Sequence, residues 1–547
     1  MAFSPAEHLI LIVVALPALT AFGLMGTGLV LGQVGIPTLP EALWRAIGLT
    51  AAFITFAVML FIATSEFDPE VLGLQQIASY AWSESFGAKF LLGVDGIGLC
   101  FMLSTTGIVP LAMLSAKGEP HNSTRSCVLV CLLLETALLG ALASANLLSF
   151  IFFWAASLIP ILLWMGRWGG LGRGRAASRI WTIESIGLAA LLFVAFVLHD
   201  STAVQLGIPT LDLIEVGADA GRSLLDVEIA EADQWILFLA MVFAFSTRLP
   251  IVPLHFWLPA AHASAPTGLS ALLATGFVQT AAIGLLRFAL PLFPDAAVAA
   301  GPVLSVLGIT ALVYASLIAL VQKELKHLVA YSSVGYAGFA LFGISTLNVQ
   351  GVTGAVLQLL VHGLATAGLF MLIGFLSIRR NTTEVVAFGG LAKPMPVCAF
   401  FFGLMVLSLM GLPLLGGFVG DLFVLLGSLE TRRELSVIAL IAMVVSASYL
   451  LWVQRRLFLG PVDEPANRGL IDLDRIERAI LLTLAIPIVA IGVYPNPVLR
   501  RVEPTVLELL YQMERRSIRT DEEKLESETE SELVRLDSAG LEPGGRP

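Results

Sequence analysis

A small set of ionisable side chains lies inside or at the ends of long apolar stretches of this 547-residue sequence. A charge at the centre of a membrane helix costs about 2.5 to 3.5 kcal/mol, so each of these residues needs a reason to be there. Carboxylates, imidazoles and amines also exchange protons, and together they predict a path for protons or cations at mid-depth. The residues are Glu135, Glu184, Arg248, His255, Lys326, His362 and Asp421.

The structural explanation for these residues differs from one to the next. For a single buried histidine such as His362, taken alone, an ordinary hydrogen-bonding role is the favoured explanation. An unpaired carboxylate in hydrocarbon has no comparable structural explanation, so a functional role is favoured for Glu135 and Asp421. Arg287 is predicted to end a helix near the outer interface and to reach toward the polar headgroups.

The composition excludes most other classes of protein. Hydrophobic residues make up 57% of the chain and charged residues 13%, against about 25% charged in soluble domains. The net charge of −10 removes the electrostatic basis for nucleic-acid binding. HExxH, Walker and GxSxG signatures are absent from the sequence. The cysteines, which form no CxxC pair, are predicted to be small buried hydrophobes; they are Cys100, Cys127, Cys131 and Cys398.

The apolar runs predict an all-α polytopic membrane protein with about fourteen transmembrane helices, because each crossing needs roughly 20 apolar residues. The first run lacks a basic start and a cleavage site, so it is predicted to be an anchor. The predicted spans 1 to 14 are 8–32, 44–64, 95–116, 125–143, 146–165, 178–199, 233–258, 263–290, 302–321, 325–345, 351–378, 397–427, 434–454 and 478–496.

The distribution of lysine and arginine predicts the orientation. Most basic residues lie in connections that follow odd-numbered spans, whereas the opposite loops before residue 500 hold only Lys89, Arg222, Arg432 and Arg433. Basic loops stay on the cytoplasmic side, so both termini are predicted to lie outside. Residues 501–547 hold 12 acidic and 7 basic side chains. This tail is predicted to be solvated, with a helix along a partner subunit as the alternative.

Two spans contain helix breakers. Pro250, Pro253 and Pro259 interrupt span 7, and the stretch from Gly411 to Asp421 interrupts span 12. Each is the fourth of five spans, which predicts two inverted repeats, spans 4–8 and 9–13, with a cavity near the bilayer midplane. The predicted division is 1–124 for three leading helices, 125–290 and 302–454 for the repeats, 478–496 for the last span and 501–547 for the tail.

Several motifs resemble the antiporter-like proton-channel subunits of respiratory complex I over about residues 90–495. They are Leu92-Gly-Val-Asp95-Gly96, the 248–266 stretch RLPIVPLHFWLPAAHASAP, Glu324-Leu-Lys326-His-Leu-Val-Ala-Tyr331-Ser-Ser, His362-Gly363-Leu, and Gly411-Leu-Pro413 through Gly417-Phe-Val-Gly420-Asp421. The resemblance implies fourteen helices, inverted repeats and outward termini. It also implies a proton path through a glutamate on helix 5, lysines on helices 7 and 8, and an acid on helix 12.

This sequence departs from that pattern in its first repeat. The helix 5 glutamate falls on Ala155, the helix 7 lysine on Arg248 and the helix 8 lysine on Gln279. A buried lysine can exchange a proton, arginine stays charged and glutamine does not titrate, so proton transfer in the first repeat is predicted to be weak or absent. We expect Glu184 to replace the missing glutamate as the counter-ion of Arg248.

The rest of the implied path is better preserved. Glu135, Lys326 and His362 match the family, Asp421 occupies the helix 12 acid position, and Ala260 replaces an aspartate after Trp-Leu-Pro. The implied function is proton translocation as a membrane-arm subunit of an NADH:quinone oxidoreductase in a bacterial inner membrane.

The expected partners are other membrane-arm subunits and the lipid bilayer. NADH, FMN, iron-sulfur clusters and quinone are expected only in partner subunits, with no cofactor in this chain. Two alternatives stay open. One is a membrane subunit of a cation/proton antiporter or an inorganic-carbon uptake complex, and the other is a scaffold that has lost transport.

Overall fold

A computed structural model describes residues 8–33, 39–83, 88–116, 124–214, 222–462 and 465–538. The described chain is overwhelmingly helical. Its helices are α1 (Leu9–Gln33), α2 (Glu41–Glu66), α3 (Gly96–Ser115), α4 (Thr124–Ala143), α5 (Leu147–Trp168), α6 (Arg173–Leu206), α7 (Glu231–Arg248), α8 (Trp257–Ser264), α9 (Thr267–Leu292), α10 (Pro294–Leu320), α11 (Leu325–Ile344), α12 (Val349–Arg380), α13 (Pro396–Leu409), α14 (Gly416–Thr431), α15 (Arg433–Phe458), α16 (Arg475–Val493) and α17 (Asn496–Ser538).

Twelve described helices are long and apolar enough to cross a membrane. The other two predicted spans are each divided into a pair of shorter helices, α7 with α8 and α13 with α14. The prediction of an all-α polytopic membrane protein is therefore confirmed. Most described helix bounds follow the predicted spans closely, but α6 (Arg173–Leu206) is longer than the predicted 178–199 and α10 begins at Pro294 instead of 302.

Both predicted helix breaks are present. α7 ends at Arg248, and a turn containing Pro250 and Pro253 leads through a short 3-10 segment to α8. Between α13 and α14 the chain turns at Gly411 (φ +69°) and Leu414 (φ +75°), in the left-handed region. Proline removes a backbone donor and a positive φ cannot continue a right-handed helix, so neither segment can span as one helix.

An antiparallel hairpin precedes α3, and no feature considered in the sequence predicts it. Strand β1 (Gln75–Ser83) pairs with β2 (Ala88–Val94), with Tyr80 opposite Phe90. Trp82 stacks on Phe90 with ring centroids 5.1 Å apart. The segment is too polar for a span, and its strand character depends on pairing and on packing against α5 that a single sequence window does not reveal.

The centre of the bundle is formed by α9 and α12, whose most apolar windows are 94% and 100% buried. Close packing depends on glycine. A Cβ added at Gly354 of α12 would lie 2.4 Å from the backbone nitrogen of Val424 in α14, and one at Gly308 of α10 would lie 2.5 Å from the Gly338 carbonyl oxygen in α11. Peripheral helices such as α6 expose apolar side chains, as a lipid-facing surface does.

Residues 501–517 are not a solvated tail as predicted, because they form part of the packed helix α17. Apolar residues recur at helical spacing, which buries one stripe of the helix; they are Val502, Val506, Leu509 and Met513. The Thr505 hydroxyl accepts a hydrogen bond from the Gly96 N–H at 3.0 Å, and the Ser517 hydroxyl donates to Asp295 at 2.8 Å. The acidic run that begins at Asp521 dominates the composition of residues 501–547 and conceals this stripe. Residues 539–547 lie outside the described part.

Candidate functional site

The predicted first repeat contains an ion pair between α6 and α7. Arg248, at the end of α7, donates from Nε and Nη2 to Oε2 of Glu184 at 3.2 and 3.0 Å. Both side chains are fully buried. The prediction that Glu184 is the counter-ion of Arg248 is therefore confirmed.

The guanidinium of Arg248 is also held by aromatic rings. Its central carbon lies 3.5 Å from the centre of the Trp154 ring and 4.0 Å from that of Phe277. Nη1 donates to the Thr280 hydroxyl at 3.1 Å, and Nη2 donates to the Trp154 carbonyl at 3.2 Å. Cation–π attraction is strongest when the cation is removed from water. The arrangement fixes the positive charge in one position.

Gln279 lies beside this centre on α9, next in sequence to Thr280, and faces the second repeat. Its Oε1 accepts a hydrogen bond from the Ser104 hydroxyl at 3.0 Å. Its Nε2 would lie 3.5 Å from a Cβ built on Gly363 of α12, which follows His362. The amide is thus buried at the seam between the predicted repeats, and an amide there cannot accept or release a proton.

The second repeat brings Asp421 and His362 to one small cavity of about 10 Å³. Asp421 lies in the second turn of α14, directly after the helix break, and is 4% exposed. Its Oδ2 has no hydrogen-bond partner among the described residues. His362 of α12 contacts the hydroxyls of Thr366 at 3.1 Å and Ser333 at 3.4 Å through Nε2. A carboxyl and an imidazole therefore share one water-sized space.

The remaining predicted residues occupy other parts of the bundle. Lys326, at the start of α11, donates to the Ala265 carbonyl at 2.9 Å and lines a pocket of about 300 Å³. His255 lies in the break before α8, with its ring 5.1 Å from that of Tyr314. Glu135 of α4 is fully buried, and neither carboxyl oxygen has a hydrogen-bond partner within the described chain.

The prediction for Arg287 is wrong. It does not reach toward an interface but lies buried in α9, where Nε and Nη2 donate to Oδ2 of Asp95 at 3.1 and 2.6 Å. Nη1 donates to the carbonyls of Leu142 and Ser144 at 2.7 and 2.9 Å. The side chain cannot reach headgroups because neighbouring helices surround α9. Asp95, in the Asp95-Gly96 pair before α3, was the sequence feature that could have indicated a partner for Arg287.

Sequence reasoning also missed polar residues around Asp421. Gln358 of α12 and Ser408 of α13 line the same cavity as His362 and Asp421, and both are at least 98% buried. Tyr336 lines it too and donates its hydroxyl hydrogen bond to the Leu409 carbonyl. Uncharged polar residues such as Gln358 and Ser408 cannot be identified as site residues from an apolar sequence, because their role depends on which helices pack together.

Fold and site together define a polytopic membrane protein of the antiporter-like class, in which two broken helices each place an ionisable residue in a buried polar centre. Residues 144–449 match the family described as NADH:quinone oxidoreductase/Mrp antiporter, TM. The chain belongs to this family, which confirms the resemblance inferred from its motifs.

Known relatives extend the match beyond that region. Subunit M of the NADH-quinone oxidoreductase of Rhodobacter capsulatus is 35% identical over 485 residues, covering 86% of this chain and 90% of that protein. A chain of respiratory complex I from Thermus thermophilus with bound NADH superposes with a TM-score of 0.80 at 28% identity, over 93% of this chain and 99% of that one.

The same fold occurs outside respiratory complexes. A chain of the Mrp complex from Dietzia sp. DQ12-45-1b superposes with a TM-score of 0.74 at 19% identity, over 98% of this chain and 59% of that one. At this identity the likeness concerns the fold alone.

Proposed function

We propose that this chain is a membrane-arm subunit of a complex I-like NADH:quinone oxidoreductase that moves protons through its second repeat only. The observation that carries the proposal is the contrast between two buried carboxylates. Glu184 is neutralised by Arg248 at 3.0 Å, whereas Asp421 Oδ2 faces a cavity with no cation paired to it in the described chain. A buried carboxylate that no cation neutralises and that borders a water-sized cavity can take up a proton.

In the second repeat, Lys326, His362 and Asp421 are the proposed proton carriers. Lys326 lines a polar pocket at the start of α11, the end that the charge bias places on the cytoplasmic side. His362 and Asp421 meet at the break between α13 and α14. These three residues fit a path that runs partly along side chains and partly through water. Glu135 and His255 lie in the first repeat and are not part of the proposed path.

The first repeat, residues 125–290, is proposed to act as a structural unit without its own proton exchange. Arg248 remains charged at physiological pH, and four hydrogen bonds hold it in place. Gln279 cannot titrate, and Glu184 stays paired with the arginine. The second repeat, residues 302–454, is proposed to carry the transport.

The assembly follows from the family. The subunit M relative at 35% identity supports a place beside other membrane-arm subunits in a bacterial inner membrane. NADH, FMN, iron-sulfur clusters and quinone would be bound by partner subunits, with the redox chemistry there and none in this chain. The concentration of basic residues in connections after odd-numbered spans favours outward termini.

The second candidate is a subunit of a cation/proton antiporter or of an inorganic-carbon uptake complex. The fold shared with the Mrp complex chain supports it, as do the altered residues of the first repeat. The matched length and 35% identity to subunit M favour the respiratory assignment.

The test uses the assembled complex in inverted membrane vesicles, with proton uptake and NADH oxidation recorded together. Asp421→Asn is expected to lower the number of protons moved per electron, because an amide cannot carry a proton. Gln279→Leu is expected to leave that number unchanged. Asp233→Asn, an exposed acid in the first turn of α7, is the matched control.

Three results would contradict the proposal. An unchanged ratio in Asp421→Asn would exclude the second-repeat path, and a lowered ratio in Gln279→Leu would show that the first repeat conducts. Ion movement that depends on added sodium and not on NADH would favour the antiporter.

A further inference from the structure

The cavity beside Asp421 is lined by several side chains that each carry a polar atom without a partner in the described chain. Its volume is about 10 Å³, which is the space that one water molecule needs. Four side chains that line it each have an atom with no hydrogen bond among the described residues, and each side chain is more than 90% buried. The atoms are Gln358 Oε1, His362 Nδ1, Ser408 Oγ and Asp421 Oδ2.

The hydrogen-bonding capacity of these atoms matches one water molecule. The amide oxygen of Gln358 and the carboxylate oxygen of Asp421 accept hydrogen bonds, which uses the two hydrogens of the water. The hydroxyl of Ser408 and an N–H at Nδ1 of His362 donate, which uses its two lone pairs. This protonation of His362 leaves Nε2 to accept from the Thr366 hydroxyl, in agreement with their 3.1 Å separation.

A metal cation fits the same space less well. Hard cations prefer a shell made up entirely of oxygen ligands. Only three of the four unpartnered atoms are oxygens, and the fourth is an imidazole nitrogen.

We propose that Gln358 and Ser408 are positioning residues that hold one water molecule between His362 and Asp421. The inference rests on the proposed function of the second repeat. A proton that reaches Nε2 of His362 makes the ring an imidazolium. Nδ1 then gives its proton to the water as the water gives another to Asp421. The imidazole and the water are neutral again, and Asp421 has gained one proton.

The position of Gln358 explains why an amide serves here. It accepts a hydrogen bond but cannot keep the proton, so it orients the water without competing with Asp421 as an acceptor of the transported charge. Its backbone is fixed as well, because a Cβ added at Gly420 of α14 would lie 2.7 Å from the Gln358 backbone nitrogen. The close contact between α12 and α14 therefore keeps Gln358 and Asp421 at a constant separation.

The experiment compares Gln358→Leu, Ser408→Ala and Thr353→Val in the assembled complex. Thr353 is the matched control, a fully buried polar residue of α12 that does not line the cavity. We expect Gln358→Leu to slow NADH-driven proton uptake by up to about a hundredfold, the scale of loss caused by a 1 Å misplacement of a reacting group. Ser408→Ala should slow it less, and Thr353→Val should leave it near the parent rate.

A spectroscopic readout separates positioning from general damage. In infrared difference spectra, the parent complex should show a water O–H band that shifts in H₂¹⁸O. The band should be lost in Gln358→Leu and Asp421→Asn and kept in Thr353→Val. If Gln358→Leu does not assemble, Gln358→Asn, which is shorter by one methylene, is used and should weaken the band and slow the uptake.

The possible failures are distinguishable. If Asp421→Asn lowers proton uptake but Gln358→Leu and Ser408→Ala behave like Thr353→Val, the inference is overturned and the proposed function stands. If Asp421→Asn has no effect, the proposed function fails. A band that is insensitive to H₂¹⁸O, together with uptake that rises with sodium, would assign the cavity to an ion.

Discussion

Replacement of Glu184 by glutamine tests how firmly the first repeat is held. The carboxylate accepts two hydrogen bonds from Arg248, and both side chains are fully buried. Loss of one partner from a buried pair costs about 3 to 5 kcal/mol, because the remaining charge is left uncompensated. Two aromatic rings and two further acceptors still contact the guanidinium, so we expect the lower end, about 3 kcal/mol.

The measurement is the free energy of unfolding of the purified subunit, from denaturant titration in mixed detergent micelles. Glu135→Gln is the matched control, since Glu135 is equally buried but has no partner in the described chain. It should change the free energy by less than about 1 kcal/mol. The double variant Glu184→Leu/Arg248→Met should return to within about 1 kcal/mol of the parent, because well-packed apolar residues can replace a buried ion pair.

The reasoning would be refuted by either of two results. One is a Glu184→Gln subunit as stable as the Glu135→Gln subunit. The other is a double variant at least as unstable as Glu184→Gln alone, since the pair would then contribute through packing and not through charge.

Two further predictions concern other parts of the bundle. Gly354→Val should prevent the subunit from accumulating in membranes, because its Cβ would lie 2.4 Å from the α14 backbone, whereas Gly26→Val should accumulate normally, since nothing lies within 4 Å of the added carbon; immunoblots of membrane fractions report both. Asp95→Asn should destabilise the subunit in the same micelle titration by about 3 kcal/mol through the loss of compensation for buried Arg287, and a value below about 1 kcal/mol would argue against a working ion pair.

The helices and their breaks could be predicted from the sequence because each depends on local composition. Twenty apolar residues span a bilayer wherever they occur, and clustered helix breakers such as Pro250 with Pro253 and Gly411 with Pro413 disfavour a continuous helix locally. The pairing of Glu184 with Arg248 was also predictable. Apart from Glu135, Glu184 was the acid near the middle of a predicted span of the same repeat, and a buried arginine needs a partner.

What could not be predicted depends on contacts between distant segments. The partner of Arg287 lies 192 residues away in sequence, and the prediction failed because it assumed a lipid-facing helix end. The π-helical segments Leu273–Phe277 and Leu285–Ala289 of α9 contain no proline, so the local sequence does not indicate them. The cavity beside Asp421 needs four helices in register, so Gln358 and Ser408 became visible only in the fold.

The ion pair of Arg248 and Glu184 has a consequence for the energetics of the whole assembly. In the proposed function, the first repeat transfers no charge through the membrane field, because both charges of the pair are covalently part of the chain. Each proton moved against 100 mV requires about 2.3 kcal/mol, so a complex with one silent repeat does less electrical work per electron. The same redox energy can then support a higher membrane potential, or a weaker electron donor can still drive turnover. In the proposed function, the silent first repeat would exchange proton yield for the ability to work against a larger opposing force.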